Sequence, residues 1–594
     1  MTFWKTFWAS VLGFVASGVI LMIVFFTILN FMISGFSKPV TLQVEDDTVL
    51  HLTLDKSIGD YTAANFNASS FSFQEQVGLY DLIEGLKIAE EDDKIKGIFM
   101  NTSGVPAGYA TTKELRDALA KFQASGKFIM SYSDNYSVKG YYLSSVADEL
   151  YVHPAGMLEF LGIGGELMFF KNALEKLDVE VQIIRGSNNK FKSAVEPFMY
   201  EQMSDANREQ TMKYLNSIWG QMLDDIGEKR GLTPDKLNEI ADSVYVRNSD
   251  DAIEYKMADG ALFYDEVLLK LAAKVGTSDP DSLNFMSFTK YCMRKTKEER
   301  VLAKLDNKNM ALIFAEGEIV DGYGEAGQIG GDRFAEYVRE ARMDENIKAV
   351  VLRVNSPGGS ALASDHIWRE VLLTKEQKPV IVSMGDVAAS GGYYISCGAD
   401  KIYAQPNTIT GSIGVFGMIP YTGKMFEEKL GITFSHVQTN KHSLLSFNKK
   451  LTEEEMGIFQ EGVDEIYDDF ITKVSEGRGI SKAMVDSIGQ GRVWAGTDAL
   501  EIGLIDEYGS MDDAINYAAE MANIGLDTLR IKTLPASKGN EFMEFIEMIE
   551  EQDAMASIET SAIEEKFNEI YGAVKMLGNR ATYQARLPYL IWIE

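Results

Sequence analysis

The stretch VAASGGYYISCGAD, residues 387–400, resembles an earlier stretch of the same chain, YSVKGYYLSSVAD at residues 136–148. Both contain Gly-Tyr-Tyr and, a few residues later, Ala-Asp. They differ at one chemically important position, where Ser390 in the later stretch corresponds to Val138 in the earlier one. A repeated segment that keeps its serine in a single copy indicates a duplicated domain whose copies have different roles.

The repeat extends well beyond these two stretches. A single offset of 252 residues (392 minus 140) pairs Ile95 with Ile347 at one end and Gly162 with Gly414 at the other, with no gap between. Chance similarity does not hold one register over that length, so we predict two copies of one domain. A chain of 594 residues is also too long for a single hydrophobic core. We place the copies at residues 47–290 and 308–540.

Within the second copy, strand and helix patterns alternate. IKAVVLRV (347–354) and PVIVSM (379–384) read as buried strands, and SALASDHIWREVLLTK (360–375) between them has the apolar spacing of a helix. GGYYISCGAD (391–400) then reads as a helix, followed by a short strand in KIYAQP (401–406). This alternation predicts an α/β domain with a largely parallel sheet.

The chain ends in a segment of different character, residues 541–594. EFMEFIEMIEEQ and SAIEEKFNEIYGAVKMLG, both within it, have the periodicity of amphipathic helices. We predict a helical C-terminal extension that serves packing or assembly.

Composition excludes several classes of protein. The formal net charge of −31 is opposite to the basic surface that nucleic-acid phosphates require, so we expect no nucleic-acid partner. The two cysteines, Cys292 and Cys397, belong to no paired motif, which excludes a disulfide-dense scaffold and a cysteine-based zinc site. We expect neither a metal nor a cofactor.

The N-terminal region contains a run without charged residues, from Phe7 to Phe36. As a helix this run would measure about 45 Å, against about 30 Å of bilayer hydrocarbon. A cleaved signal peptide is the alternative, but its apolar core spans only about 7–15 residues. We predict a transmembrane anchor at residues 7–36 behind a cytoplasmic stub at residues 1–6. One lysine on each side nearly balances the charge signal, and translocation of the large acidic remainder is the simplest orientation.

Two glycine turns in the second copy precede predicted helices. NSPGGSA (355–361) follows a strand, and Ser390 is followed directly by Gly391. N–H groups at a helix start lack a partner within the helix, so those of Gly391 and of Gly358 or Gly359 can bind one developing oxyanion. The alternative is that these are ordinary turn glycines and a helix-capping serine.

The first copy counts against that alternative. It has Pro106 opposite Gly358 and Val138 opposite Ser390. Proline has no N–H to donate, and valine offers no nucleophile. Because the domain persists without these groups, folding does not force their presence in the second copy.

A serine hydroxyl is a weak nucleophile and needs a base. None of the five histidines lies in a recognisable triad context; they are His51, His153, His366, His436 and His442. A lysine can act instead when burial lowers the pKa of its amine toward neutrality.

Four segments in this chain resemble those of the signal peptide peptidase A family, also called protease IV, in its long, duplicated form. The resemblance covers nearly the whole chain, and the segments are FKSAVEPF (191–198), SPGGSA (356–361), GDVAASGGYYIS (385–396) and TITGSIGVFG (408–417). It implies a membrane-anchored serine–lysine peptidase with tandem ClpP/crotonase-like domains.

The resemblance also implies the roles of individual residues. Ser390 would be the nucleophile, Lys192 the general base and Ser412 the residue that orients the lysine amine, with Gly358, Gly359 and Gly391 as oxyanion donors. The first copy would then have kept the lysine and the second the serine. Lys190 and Lys441 are the rival bases, because the repeat offset changes in this region and the pairing of the two copies is not fixed there.

As substrates, the resemblance implies cleaved signal peptides and other apolar peptides. It further implies a homotetramer at a bacterial inner membrane, with most of the chain on the extracytoplasmic side. Two other functions compete: an inactive membrane scaffold, and a crotonase-type acyl-CoA enzyme that shares the oxyanion-hole architecture. The retained serine, lysine and glycine turns count against the scaffold.

Overall fold

The computed structural model describes residues 43–61, 63–67, 72–302, 308–535 and 584–586. The predicted anchor at residues 7–36 lies outside this part of the chain, and so does the predicted helical extension apart from residues 584–586. Among the helices that the structure describes, none is long and apolar enough to cross a membrane.

The described residues of the first half form alternating strands and helices. The strands are β1 (Thr48–Leu52), β2 (Ile58–Gly59), β3 (Ala63–Asn67), β4 (Ser72–Gly78), β5 (Ile95–Met100), β6 (Phe128–Tyr136), β7 (Glu149–Leu158), β8 (Glu180–Arg185), β9 (Gly260–Ala261) and β10 (Phe285–Ser287). The helices are α1 (Leu79–Glu91), α2 (Tyr109–Ala124), α3 (Val138–Ser144), α4 (Lys171–Lys176), α5 (Glu196–Met199), α6 (Asp205–Arg230), α7 (Pro234–Asp242), α8 (Ser249–Glu254), α9 (Tyr264–Val275) and α10 (Phe288–Leu302).

The second half repeats this alternation. Its strands are β11 (Met310–Glu316), β12 (Glu318–Val320), β13 (Gln328–Gly330), β14 (Ala349–Ser356), β15 (Gly358–Ser360), β16 (Val380–Ala389), β17 (Lys401–Ala404), β18 (Ile409–Gly411), β19 (Phe416–Tyr421), β20 (Val493–Ala495), β21 (Glu507–Tyr508), β22 (Ile531–Leu534) and β23 (Gln584–Arg586). Its helices are α11 (Gly331–Met343), α12 (Ala361–Lys375), α13 (Gly391–Ser396), α14 (Gly423–Leu430), α15 (Glu453–Arg478), α16 (Lys482–Ile488), α17 (Gly496–Glu501) and α18 (Met511–Met521).

The strand order of the main sheets confirms the duplication. The first sheet runs β10-β1-β5-β6-β7-β9, and the second contains β22-β11-β14-β16-β17-β21 in the same relative order, with every one of these pairs parallel. Strand β14 is buried along most of its length, as expected when helices cover both faces of a parallel sheet. The α/β prediction is therefore confirmed.

Three local predictions differ from the structure. The helix predicted at 391–400 ends at Ser396. The strand predicted at 379–384 continues to Ala389, because its last residues pair with β18, with Val387 opposite Ile409. The glycine turn expected at 355–361 contains a short strand, β15, which pairs with β12 and with β23. A Cβ atom on Gly359 would collide with the carbonyl oxygen of Ile319, so glycine permits this close pairing.

A third sheet joins the two halves. It runs β13-β12-β15-β23-β19-β8, and β8 comes from the first half whereas the other strands come from the second half or from the C-terminal segment. Strand β8 pairs antiparallel with β19 along six residues, from Phe416 opposite Arg185 to Tyr421 opposite Glu180. This pairing carries the chain that follows β8 into the second half.

A buried ionic cluster also holds the halves together. The guanidinium of Arg353 on β14 donates to Asp60 and to Glu114 of the first half, each at 2.8 Å. Burial raises the pKa of Glu114 to about 7, although Arg353 opposes this change. Removing one partner would leave a buried charge unpaired, which typically costs about 3–5 kcal/mol. The cluster therefore favours one fixed arrangement of the two halves.

Candidate active site

Ser390 lies between the end of β16 and the start of α13, and it is fully buried. Its backbone has φ 54° and ψ −113°, a combination that non-glycine residues rarely adopt. Two main-chain hydrogen bonds hold it there: Ser390 N–H donates to the Gly411 carbonyl at 2.8 Å, and Tyr394 N–H donates to the Ser390 carbonyl at 2.8 Å. Strain of this kind, of order 1–3 kcal/mol, clusters at active sites.

Lys192 approaches Ser390 from the other half of the chain. It follows β8 and immediately precedes a turn of 3₁₀-helix at Ser193–Val195. Its amine nitrogen Nζ lies 2.9 Å from Ser390 Oγ, although 198 residues separate the two in sequence. The same nitrogen lies 3.1 Å from Ser412 Oγ and 3.2 Å from the Ser412 carbonyl oxygen. The lysine therefore contacts both serines within hydrogen-bonding distance.

The surroundings of Lys192 disfavour its charged form. The side chain is fully buried, and this desolvation lowers the pKa of its amine well below the usual 10.5. Among the residues that the structure describes, no carboxylate forms an ion pair with it. A buried amine without a counter-ion is stabilised as the neutral base.

Ser412 has a strained backbone like Ser390. Its φ is 49°, and its N–H donates to the Arg492 carbonyl at 2.6 Å. Its hydroxyl donates weakly to the Gly491 carbonyl at 3.4 Å, which leaves the hydroxyl oxygen free to accept from Lys192. The segment around Gly491 thus positions Ser412 through main-chain contacts.

Of the predicted oxyanion glycines, Gly391 directly follows Ser390 in the chain, and Gly358 and Gly359 lie on β15, which contacts α13. Gly391 is the first residue of α13, so its N–H has no acceptor within the helix. Gly358 N–H donates to Ser356 Oγ at 3.1 Å, so it already has an acceptor. Gly359, the other glycine that the sequence left open, lies on β15 opposite Ile319 of β12 and Ala585 of β23.

The rival bases lie on the surface. Lys190 is exposed, with its amine 4.8 Å from the ring of Phe191. The side chain of Lys441 is 68% exposed and pairs with Glu454. Among the histidines, His366 contacts Asp332, and His442 contacts Glu454. None of these contacts involves Ser390.

The sequence did not single out two glycines that contact the lysine stem. A Cβ atom on Gly491 would lie 2.6 Å from Lys192 Cα, and one on Gly414 would lie 3.3 Å from Lys192 Cδ. Gly414 is part of the TITGSIGVFG stretch, but nothing local marks Gly491. Its role depends on packing between distant segments, which leaves no spacing signal.

The chain is similar in sequence to a known family of peptidases. The profile of Peptidase family S49 matches twice, at residues 121–278 and 373–525. The two matches begin 252 residues apart (373 minus 121), which is the offset of the internal repeat.

Two similar proteins align over most of their length. "Protease 4" of Haemophilus influenzae is 36% identical over 76% of this chain and 74% of its own length. "Serine protease SPPA, chloroplastic" of Arabidopsis thaliana is 31% identical over 82% of this chain and 71% of its own length. Among solved structures, a point mutant of ClpP1 from Listeria monocytogenes aligns with 36% of this chain and 99% of its own, at 14% identity and a TM-score of 0.25. A score that low does not establish a common fold, so the ClpP/crotonase-like assignment stays a prediction.

Proposed function

The chain belongs to peptidase family S49 and is a serine peptidase, and from this premise we propose that it is an endopeptidase in which Ser390 is the nucleophile and Lys192 the general base. One observation carries the proposal: the 2.9 Å approach of the Lys192 amine to the Ser390 hydroxyl in a buried site. That distance is within the range for proton transfer along a hydrogen bond.

The direction of the hydrogen bonds suits a neutral lysine. A neutral amine has two N–H groups and one lone pair. When the two N–H groups donate to the hydroxyl and carbonyl oxygens of Ser412, at 3.1 and 3.2 Å, the lone pair remains for the Ser390 hydroxyl proton. Ser412 therefore orients the base, as the family resemblance implied.

Acylation begins when Ser390 Oγ attacks a peptide carbonyl carbon and its proton moves to the Lys192 amine. The carbonyl oxygen becomes an oxyanion, which the N–H groups of Gly391 and of Gly358 or Gly359 stabilise. When the C–N bond breaks, Lys192 returns the proton to the leaving amine, and an ester to Ser390 remains. Water, deprotonated by the same lysine, then attacks this ester and releases the acid product and the free serine.

An extended peptide would bind by adding a strand at the edge of β15. Support comes from β23, which already pairs antiparallel with β15, with Ala585 opposite Gly359. The other edge of β23 contacts β19, with Gln584 opposite Phe416. Helix α13, which follows Ser390, contacts both β15 and β23. The space between β15 and β19 therefore accepts one extended chain beside the nucleophile.

The setting of the enzyme is also part of the proposal. The uncharged run at residues 7–36 supports a single-pass anchor in a bacterial inner membrane, with most of the chain on the extracytoplasmic side. An anchored peptidase meets the apolar peptides that stay in the bilayer after secretion, so cleaved signal peptides are the proposed substrates. A homotetramer is proposed on the family resemblance alone.

Substitution of single residues tests the catalytic assignment. Ser390→Ala and Lys192→Ala should each lower kcat for an apolar peptide by at least about three orders of magnitude. Ser412→Ala should lower it by about 10- to 100-fold, since the lysine loses one hydrogen-bond partner. Lys441→Ala is the matched control for an exposed lysine and should keep full activity. A serine-reactive fluorophosphonate probe should label the wild-type protein but not Ser390→Ala. Full hydrolysis by Ser390→Ala would refute the proposal.

A further inference from the structure

Gln210, on α6, is buried beside the candidate base and has no role in the chemistry described above. Its amide nitrogen Nε2 donates to the Phe191 carbonyl at 3.1 Å and to Ser193 Oγ at 2.8 Å. These two residues flank Lys192 in the chain. The Gln210 side chain therefore holds the main chain just before Lys192 and the side chain of the residue just after it.

The amide oxygen of Gln210 contacts a different segment. Val493 N–H, on β20, donates to it at 3.1 Å. A main-chain N–H can only donate and a carbonyl can only accept, so the contacts with Val493 and Phe191 fix the orientation of the amide. Both ends of the glutamine side chain are thus used, and they join two segments that are far apart in sequence.

The segment that contacts the Gln210 amide oxygen is paired with the strand that precedes Ser412. Val493 lies opposite Gly411 in the antiparallel pair of β20 and β18, and Gly411 precedes Ser412. Arg492, the residue before Val493, also links α6 to Ser412. Its carbonyl accepts from Ser412 N–H, and its guanidinium pairs at 3.0 Å with Glu209 on α6. Helix α6 therefore contacts both segments that position the lysine amine.

The start of α6 is itself anchored near the lysine. Glu196, four residues after Lys192, accepts from the N–H and the hydroxyl of Ser204, the residue that caps α6. It also accepts from the side-chain amide of Asn207 at 2.9 Å. Glu196, Asn207 and Gln210 are all buried. A satisfied buried network of this kind limits the freedom of the groups it joins.

We propose that Gln210 is a positioning residue, which sets the separation between the Lys192 amine and the hydroxyls of Ser390 and Ser412. This inference rests on the proposed function, because it assumes that Lys192 is the base. Gln210 acts through the main chain on either side of the lysine and not by contact with substrate. It also keeps the lysine pocket closed, and closure sustains the desolvation that keeps the amine neutral.

Leucine in place of Gln210 tests the idea, because it is apolar and of similar size. Gln210→Leu should lower kcat by about 10- to 100-fold, since displacement of a catalytic group by about 1 Å can cost about 100-fold. KM should stay within about twofold. The acidic limb of the pH dependence of kcat/KM should move to higher pH, because a loosened pocket admits water and lets the pKa of Lys192 rise.

A second variant covers the case in which Gln210→Leu does not fold. Gln210→Glu keeps the shape of the side chain and the acceptor for Val493 N–H, but it places a carboxylate near the lysine. An opposite charge favours the ammonium form. The acidic limb should therefore move to higher pH in this variant as well, with kcat reduced at neutral pH.

Gln182→Leu is the matched control. Gln182 is a buried glutamine on β8, and its side chain also forms hydrogen bonds with main-chain groups, in this case those of Leu451. Its amide oxygen accepts from Leu451 N–H at 2.9 Å, and its amide nitrogen donates to the Leu451 carbonyl at 3.4 Å. This variant should lose a similar amount of thermal stability yet keep the wild-type kcat and acidic limb. If the two Gln210 variants behave like this control, Gln210 is structural only and the inference is overturned.

The positioning role of Gln210 and the catalytic role of Lys192 can be refuted separately. If Lys192→Ala is inactive while the Gln210 variants keep the wild-type kcat and pH dependence, the inference fails and the proposed function stands. If Lys192→Ala keeps full activity, the proposed function fails, and the inference fails with it.

Discussion

Gly491→Ala provides a sharp test of the lysine geometry, because one methyl group would enter the space that Lys192 occupies. The new Cβ atom would lie 2.6 Å from Lys192 Cα and 2.7 Å from Lys192 Cδ, whereas ordinary contacts begin at 3.4 Å. Lys192 Cβ would lie closer still, so something must move by at least about 0.8 Å, the amount by which 2.6 Å falls short of 3.4 Å. Because the near atoms belong to Lys192, the displacement falls on the proposed base.

The neighbouring main chain gives little freedom to move instead. Gly491 N–H donates to the Ile413 carbonyl at 2.7 Å, and the Arg492 carbonyl accepts from Ser412 N–H at 2.6 Å. A shift of this segment would therefore move Ser412, which contacts the same lysine amine. Either response changes the separation of lysine and serine, and we expect kcat to fall by about 10- to 100-fold.

The backbone of Gly491 makes a control necessary. Its φ of +76° is unfavourable for any residue with a side chain, and alanine there loses about 1–2 kcal/mol of stability. Gly479→Ala shares this cost, because Gly479 has φ +65°, but its Cβ atom would meet nothing within 4 Å. Both variants should show similar losses in thermal unfolding, and only Gly491→Ala should lose activity.

Steady-state kinetics on an apolar peptide, with each variant's folded fraction measured at the assay temperature, decides the question. If Gly491→Ala keeps a kcat within about twofold of Gly479→Ala, the packing argument is wrong.

Two further predictions concern stability and access. Lys192→Met should be inactive but should unfold at a higher temperature than the wild type at neutral pH. Burial lowers the pKa of the Lys192 amine in the folded state, so at neutral pH the wild-type lysine must lose a proton on folding that it keeps in the unfolded chain, and this loss reduces the stability of the wild type. The difference in melting temperature between Lys192→Met and the wild type should shrink as the pH rises toward the unfolded pKa of lysine, about 10.5. Equal melting temperatures of the two proteins at neutral pH would contradict this prediction. A chain that ends at residue 583 lacks β23, so the edge of β15 is open; KM for an added peptide should fall with kcat unchanged, and an unaltered KM would show that β23 does not compete with peptides.

Much of the fold was accessible from the sequence. The 252-residue offset predicted the duplication, and the alternation in the second copy predicted helix α12 and strand β14 within two residues of their observed starts. These features depend on local periodicity and on repeated letters, which one sequence contains. The prediction was weaker where pairing between distant strands decides the outcome, as at the extended end of β16 and in the strand β15.

The candidate site residues likewise fall into those that the sequence identified and those that it missed. Ser390 and the glycines next to it were found from their contrast with Val138 and Pro106, whereas Lys192 came from the family resemblance, because its own copy gave no local signal. Gln210 and Gly491 were missed. Each acts by contacting residues from another part of the chain, and a single side chain in sequence carries no record of such contacts.

The order of residues is enough to show that the chain repeats one α/β domain and that the second repeat, unlike the first, carries the serine with its glycine turns. The folded chain was needed to show that Lys192 lies beside Ser390, 198 residues away in sequence, and that Lys441 pairs with Glu454 at the surface instead. The pairing of β8 with β19 brings the lysine into the second half, and burial there removes the water that would keep its amine charged. Periodicity records which face of an element is buried, but the partner that covers it is chosen by the packing of the whole chain.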